Sequence, residues 1–228
     1  MKLHRFYVGS AFVLEHDFWV HDKDLLNQWN RVLRFRPGEE LVLFDGEHHE
    51  RLYKIVEMSS SEAHLQLVTE LQTKQPKREV YLLWALLKKD KNDWVLQKCT
   101  ELGISHFWPI LADRSQKTGF NAQRAQKIVI EAAEQCGRSD IPSIREPLTS
   151  ETAIAELRGK ADIYICEQGG DVQAAGSEKV AILVGPEGGW SDDEKDFFKV
   201  QKLQHLDLHD FTLRAETAAA AAATIVAR

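Results

Sequence analysis

Four short apolar runs that alternate with helix-like segments constrain the fold of this chain more than any other feature. The runs occupy residues 80–87, 104–111, 161–166 and 180–184. A strand that is apolar on both faces is typical of a parallel sheet covered by helices. Helical periodicity follows at 91–102, 121–136 and 191–203, a short strand is predicted near 204–208, and an alanine-rich helix ends the chain. This alternation predicts an α/β domain with a parallel sheet and helices on both faces.

Residues 1–72 follow a different pattern. Short β-prone pieces lie within residues 4–20, and three more predicted strands lie within 41–68, separated by turn signals at 45–46 and 59–61. A predicted helix places its apolar side chains on one stripe, namely Leu25, Leu26, Trp29, Val32, Leu33 and Phe35 in the segment 22–35. Residues 70–80 are polar and lack periodicity, which is typical of a linker. We therefore predict a small β-barrel domain at 1–72 and the α/β domain at 73–228.

Composition and charge exclude several classes of protein. No apolar run approaches the ~20 residues of a membrane-spanning helix, and no secretory h-region is present, so we expect a cytoplasmic protein. Cys99, Cys136 and Cys166 lack a C-x-x-C spacing and are expected to be buried, reduced thiols. The net charge is -6, yet residues 73–138 hold 12 Lys and Arg against 7 Asp and Glu. Such a basic segment is either a solvated helical face or a phosphate-binding surface.

The most distinctive motif is a strand-to-helix junction at residues 182–194, ILVGPEGGWSDDE. Its three glycines permit backbone conformations and close approaches that other residues do not. Ser191 and Glu194 have the spacing of a capping box, which predicts that the next helix begins at the serine. Open α/β folds bind ligands at such junctions. Neither G-x-G-x-x-G nor G-K-[ST] occurs here, so a Rossmann dinucleotide site and a P-loop are poorly supported.

A second motif, LRAETAAAAAAT, begins the last predicted helix at residue 213. The run Ala218–Ala223 lets another backbone approach closely, but alanine is also the best helix former, and both explanations stay open. Arg214 and Glu216 at the helix start are placed either to meet a ligand or to pair with other charges.

The two motifs together resemble those of the 16S ribosomal RNA uridine N3-methyltransferases of the RsmE type, which belong to the SPOUT or α/β-knot superfamily. The resemblance extends over nearly the whole chain through VLRFRPGEELVLFDG, LLKKDKNDWVLQKCTELGISHFWPI, RSQKTG and EAAEQCGRSDIP. It implies an N-terminal PUA-like β-barrel that binds RNA, a C-terminal SPOUT trefoil knot, a homodimer, and S-adenosylmethionine as methyl donor. It also implies that the substrate is N3 of uridine 1498, in the conventional rRNA numbering, of the small ribosomal subunit.

By the same resemblance, two stretches form the cofactor pocket. The residues concerned are Leu183, Gly185, Pro186, Glu187, Gly188 and Gly189 in the first stretch, and Leu208 and Leu213 in the second. The chain departs from the family pattern L-G-x-R-I-L-R at two positions. His209 stands in place of the glycine, and Phe211 stands in place of the first arginine. Cofactor affinity or substrate choice is expected to differ from the family pattern at these positions.

An enzyme of this kind must align uridine N3 with the donor methyl and favour the deprotonated base. Arg214 is the candidate for stabilising charge on the carbonyl oxygens of the base. Glu216 is a candidate base or an orienter of Arg214. RNA contacts are expected from Arg5, Lys88, Lys89, Lys91, Arg114, Lys117 and Arg138. No metal site is expected, because His205 and His209 fall in a predicted strand and loop and not on one helical face.

Two other functions stay open at this level. A SPOUT ribose 2′-O-methyltransferase acting on tRNA or rRNA would share the fold and the methyl donor. A non-catalytic RNA-binding adaptor would retain the fold without the reaction, and the departures at His209 and Phe211 keep that alternative open.

Overall fold

The computed structural model describes residues 3–115, 119–167, 169 and 177–227. The chain forms two compact units. The first comprises Met1–Gln75 together with Ala133–Ile141, and the second comprises Pro76–Ala132 together with Pro142–Arg228. The division at residue 72 stays a prediction. No helix in the described part of the chain is both long enough and apolar enough to cross a bilayer.

The first unit contains a five-stranded mixed sheet with the order β1-β3-β4-β5-β2. Its strands are β1 (His4–Tyr7), β2 (Asp17–Val20), β3 (Glu40–Phe44), β4 (Glu50–Met58) and β5 (Ala63–Glu70). The three strands predicted within 41–68 are therefore confirmed. β1 pairs with β3 in parallel, and the other pairs are antiparallel. Phe6, Trp29, Leu41 and Tyr53 are buried in the core of this unit.

The prediction that residues 22–35 form one α-helix with a single apolar stripe is wrong. The α-helix α1 covers Lys23–Asn27, and the chain continues as a π-helical turn over Gln28–Leu33. A π-helical turn adds a residue per turn, so it shifts the side chains that follow out of the α-helical stripe. Trp29 is fully buried, whereas Val32 is 69 % exposed.

The second unit contains a six-stranded sheet with the order β11-β9-β10-β6-β7-β8. Its strands are β6 (Glu79–Ala85), β7 (His106–Ile110), β8 (Ser143–Ile144), β9 (Asp162–Cys166), β10 (Lys179–Val184) and β11 (Gln204–Leu206). All of its strand pairs are parallel, which confirms the predicted α/β sheet. The apolar runs pack together at the centre of this sheet, where Leu83, Ile165, Ala181 and Leu183 are buried.

The second unit contains the helices α2 (Lys89–Glu101), α4 (Ser150–Leu157), α5 (Asp192–Gln201) and α6 (Ala215–Val226). Helix α3 (Ala122–Cys136) begins in the second unit, and its residues 133–136 belong to the first. The predicted cap at Asn121 is confirmed, since its side chain accepts a hydrogen bond from the Arg124 amide. Neither α4 nor β8 was predicted, because two residues are too few for a strand signal and α4 makes barely two turns.

The alanine run of α6 is packed closely. α6 lies against α2 and against strands β6 and β10. Ala219, Ala222 and Ala223 are fully buried, so the small side chains bring the helix axis near its neighbours. The trefoil knot that the family resemblance implies stays a prediction.

Burial of the cysteines was predicted for all three and is wrong for one of them. Cys99 is buried and Cys166 is half-buried, but Cys136 is exposed. Cys136 is the last residue of α3, where the helix ends before Gly137 with a positive φ of 85°. Gln135 and Cys136, the last two residues of the helix, are exposed, whereas Ala133 in the same turn is buried.

Asn92 fixes the junction between β6 and α2. Its side-chain oxygen accepts hydrogen bonds from the indole of Trp84 and from the Leu87 amide, both at 3.0 Å. Its side-chain nitrogen donates to the Leu87 carbonyl at 2.8 Å. The residue is 8 % exposed. The short connection at residues 86–88 is therefore held in one conformation by a buried amide.

Replacing Asn92 by alanine would leave these three buried groups without partners. Because an unsatisfied buried polar group costs ~1–3 kcal/mol, we expect Asn92→Ala to lower the free energy of unfolding by about 3 kcal/mol in chemical denaturation. Gln97→Ala, on the exposed side of the same helix, is the control and should change the stability by less than about 0.5 kcal/mol. Equal stability of the two variants would contradict the role given to Asn92.

Candidate active site

A cavity of about 750 Å³ lies at one edge of the second unit's sheet. Its walls come from the ends of β9 and β10, the loop after β10, and the segment between β11 and α6. The carboxyl ends of parallel strands meet at the same edge of a sheet, so these loops converge. The sequence motifs at residues 182–194 and 208–216 are brought together by this topology.

The cavity contains most of the residues predicted to bind a cofactor. Those that line it are Gly185, Pro186, Glu187, Gly189, Leu208 and Leu213. Leu183 is fully buried within β10 and packs in the hydrophobic core. Gly188 is outside the lining, and its carbonyl accepts a hydrogen bond from Arg114 at 3.2 Å. The cofactor roles of these residues stay predictions, as no ligand is present.

Several lining residues were missed from the sequence. They are Cys166, Glu167, Val184, Trp190, Lys195, Asp207, Ala215 and Ala218. Cys166, Glu167, Val184 and Asp207 lie at or next to the ends of predicted strands, so the rule that ligands bind at the carboxyl edge of a parallel sheet could have found these four. The thiol of Cys166 has its pKa raised to about 12 by burial, so it is a neutral lining group and not a nucleophile.

The shape of the loop after β10 depends on the absence of a side chain at Gly185. A Cβ there would lie 2.9 Å from Nε1 of Trp190 and 3.1 Å from its Cε2. Trp190 is 3 % exposed and packs edge-on against Phe198 of α5, with ring centroids 5.1 Å apart. The indole therefore folds the loop back onto its own first glycine and anchors it to the helix that follows.

The capping box predicted at the start of α5 is confirmed. The Ser191 hydroxyl accepts from the Glu194 amide, and the Ser191 amide donates to the Glu194 carboxylate at 2.7 Å. The network reaches the loop after β7, because the Ser191 hydroxyl donates to Asp113 at 2.6 Å and the Asp113 amide donates to Glu194 at 3.2 Å. Glu194 is 4 % exposed, so it ties both loops from a buried position.

Lys91 joins the two sequence motifs through their carboxylates. Its Nζ donates to Oε1 of Glu187 at 3.0 Å and lies 3.3 Å from Oε2 of Glu216. The hydrogen bond to Glu187 raises the pKa of Lys91, and the contact with Glu216 adds to this. The pKa of Glu187 is lowered by Lys91 against an opposing effect of burial. The structure thus pairs Glu216 with Lys91 and not with Arg214.

Arg214 stands at the N-terminal end of α6 and lines the cavity. Its side chain is exposed and makes no hydrogen bond or ion pair with the residues that the structure describes. A guanidinium carries five donors and stays charged. Arg214 therefore brings an uncompensated positive charge to the cavity, at a helix end that is itself electropositive.

The residues predicted to contact RNA fall into different environments. Lys88, Lys89 and Arg114 are exposed in the second unit, whereas Lys117 lies outside the described residues. In the first unit, Arg5 pairs with Glu50 and donates to the carbonyl of Arg138 at 3.0 Å. The guanidinium of Arg138 pairs with Asp140 at 2.6 Å and is 7 % exposed. These contacts give Arg5 and Arg138 a structural role within the first unit. Their role in RNA binding stays a prediction.

The histidines considered for a metal site have other contacts. His205 lies 3.0 Å from the Glu167 carboxylate, and the ring of His209 is stacked on Phe211. Among the described residues, no group of three or more His, Cys, Asp or Glu side chains is placed to hold a metal ion.

Gly185→Ala tests the close contact with Trp190. The added methyl must displace the indole, and overpacking of this kind costs ~1–3 kcal/mol, which we expect to appear as a lower free energy of unfolding. Gly188→Ala is the matched control, since a Cβ there meets Arg114 at 3.4 Å, an ordinary contact. Stability of the Gly185→Ala protein equal to that of the control would show that the indole is not fixed by this glycine.

Lys91→Met tests the ion pairs by their pH dependence. The carboxyl of Glu187 has a lowered pKa in the folded state, so its contribution to stability is present above its ordinary value of 4.5 and is lost as the pH falls through the folded pKa. We therefore expect Lys91→Met to have a lower Tm than the parent at pH 7, and the difference to shrink below about pH 4. Scanning calorimetry measures this, and a difference independent of pH would contradict the ion pairs.

Two family models match separate parts of the chain. A family model described as an RNA methyltransferase domain matches residues 73–227, and one described as an RNA methyltransferase PUA domain matches residues 31–68. The ribosomal RNA small subunit methyltransferase E of Aquifex aeolicus is 30% identical over 206 residues, covering 86% of this chain and 88% of the relative. That of Rickettsia conorii is 28% identical, covering 96% and 93%.

Solved structures agree with these matches. The ribosomal RNA small subunit methyltransferase E of Neisseria gonorrhoeae, bound to S-adenosyl methionine, superposes with a TM-score of 0.87 at 27% identity, covering 97% of this chain and 95% of that one. A Legionella pneumophila methyltransferase in complex with the same cofactor gives 0.83 at 25% identity, covering 99% and 97%. The chain therefore belongs to the RNA methyltransferase family that includes the ribosomal RNA small subunit methyltransferases E.

Proposed function

We propose that this protein uses S-adenosylmethionine to methylate N3 of a uridine in the 16S ribosomal RNA of the small subunit. The observation that carries the proposal is the single cavity in which the glycine-rich loop after β10 meets the Arg214 end of α6. Family membership supports methyl transfer to RNA, and the cofactor bound to the Neisseria gonorrhoeae relative supports the same donor here. The choice of N3, and of uridine 1498 in particular, rests on the resemblance of the sequence motifs.

The residues present fit the proposed methyl donor. The volume of about 750 Å³ is within the ~300–1,000 Å³ range of sites that enclose small organic ligands. Val184, Leu208 and Leu213 offer apolar contacts for an adenine ring. Glu167 and Asp207 bring carboxylates to the same cavity, and these favour a cationic ligand. When bound, S-adenosylmethionine supplies a methyl group that its sulfonium already activates.

Arg214 is the residue to which we assign the largest catalytic effect. Removal of the N3 proton spreads negative charge over the two carbonyl oxygens of a uracil ring. A guanidinium whose donors are not engaged by the protein can stabilise that charge as it develops. Glu216 stays the candidate base, since a carboxylate can accept the N3 proton, but it is not among the residues that line the cavity and it is paired with Lys91. The contact between Lys91 and Glu216 holds this carboxylate at the first turn of α6.

Binding of the RNA substrate requires further cations outside the cavity. Lys88, Lys89 and Arg114 are exposed cations of the same unit as the cavity, and we propose that they bind phosphates. The target base must leave its stack to enter the cavity. We also propose that the protein is a homodimer and acts in the cytoplasm, where ribosomal subunits are found. These two proposals rest on the family resemblance.

Nucleoside mass spectrometry of 16S rRNA tests the proposed function. Cells that lack the protein should lose N3-methyluridine and regain it when the wild-type chain is supplied. Arg214→Ala should lower the methylation rate of purified subunits by about 10²–10³-fold, with S-adenosylmethionine affinity within about twofold of wild type by calorimetry. Lys199→Ala, an exposed cation of α5, is the control. A missing ribose 2′-O-methyl group in place of the base methyl would overturn the choice of N3, and full activity of Arg214→Ala would overturn its role.

A further inference from the structure

His209 and Phe211 form an aromatic pair in the segment between β11 and α6. Their ring centroids lie 5.3 Å apart with an interplanar angle of 29°, which is a stacked arrangement. The Phe211 amide also donates to Nδ1 of His209 at 3.1 Å. This hydrogen bond holds the imidazole ring against the backbone of Phe211, next to the ring on which it stacks.

The aromatic pair lies at the mouth of the cavity. Both residues line it, together with Arg214. Phe211 is nevertheless 74 % exposed. A side chain that contributes to a cavity wall and is still mostly accessible to solvent stands where the cavity opens.

We propose that the aromatic pair is a stacking platform that holds an unpaired base of the RNA substrate at the cavity mouth. The proposal rests on the proposed function, because it assumes that RNA enters this cavity. An exposed ring offers a π-face to any base, and base–aromatic stacking is a main source of affinity for single-stranded RNA. Arg214, in the same lining, is the residue proposed to meet the carbonyl oxygens of the target base in the same strand.

The pair also explains how this chain can bind RNA without a cation at residue 211. Stacking does not release counterions, so its contribution to RNA affinity is nearly independent of salt concentration. An arginine that binds a phosphate does release counterions, so its contribution to RNA affinity falls as salt is added. Phe211→Arg should therefore steepen the salt dependence of RNA binding while losing the stacking contribution. This separates the platform from the electrostatic contacts of Lys88, Lys89 and Arg114.

The test compares ring variants of the full-length protein. Anisotropy of a labelled single-stranded oligouridylate should show affinity lower by about 5- to 100-fold for Phe211→Ala, with an unchanged salt slope. Phe211→Leu, which keeps apolar bulk without a π-face, should also lose affinity, and Phe211→Trp should retain it. Val200→Ala removes a side chain that is 75 % exposed on α5 and should have no effect. Fluorescence of a 2-aminopurine base in the oligonucleotide should be quenched by wild type and not by Phe211→Ala.

Three other results would contradict the proposed stacking role of Phe211. Oligonucleotide affinity of Phe211→Ala equal to wild type would remove it. A loss of S-adenosylmethionine affinity as large as the loss of RNA affinity would assign the ring to the cofactor wall. A change of oligomeric state in sedimentation would assign it to a contact with a second copy of the chain. Absence of methyl transfer by the wild-type protein would defeat the proposed function alone, because the quenching assay would still decide whether a base stacks on Phe211.

Discussion

The candidate active site depends on a position that has no side chain. Gly185 allows the indole of Trp190 to approach the end of β10 more closely than any Cβ would permit. Trp190 is in turn fixed by Phe198, and α5 is fixed at its start by the buried Glu194 of the capping box. The loop that lines one wall of the cavity is thus held by packing on one side and by hydrogen bonds on the other. A wall held in this way is ordered before a ligand binds, which lowers the entropic cost of binding.

The ion pairs of Lys91 determine which charged groups of the two motifs are left without a partner in the part of the chain that the structure describes. Lys91 neutralises Glu187 of the glycine-rich loop and Glu216 of α6, while Arg214 makes no ion pair with the described residues. If Glu216 oriented Arg214, the positive charge at the cavity would be largely compensated. With Glu216 engaged by Lys91, the guanidinium keeps its donors for a ligand. Three segments distant in sequence therefore act together to leave one arginine available.

Much of the fold and part of the site followed from the sequence, because both rest on local signals. Apolar runs predicted the parallel sheet, and the spacing of Ser191 and Glu194 predicted the start of α5. What was missed depends on tertiary contacts. The π-helical turn places Val32 in solvent, although α-helical periodicity predicted it to be on the apolar stripe. The role of Asn92 depends on the hydrogen bond that it accepts from Trp84, which the sequence pattern does not show. The pairing of Lys91 with Glu187 and Glu216 likewise requires knowing which strands are neighbours.

The central claim is that the loop after β10 and the start of α6 enclose one binding site for a sulfonium methyl donor. A crystal structure of the protein with S-adenosylhomocysteine, the demethylated product, tests it most directly. The account predicts electron density for the product within the cavity lined by Gly185, Leu208 and Leu213, with its sulfur on the side of Arg214. Density in another cleft, with this cavity empty at saturating ligand, would contradict it.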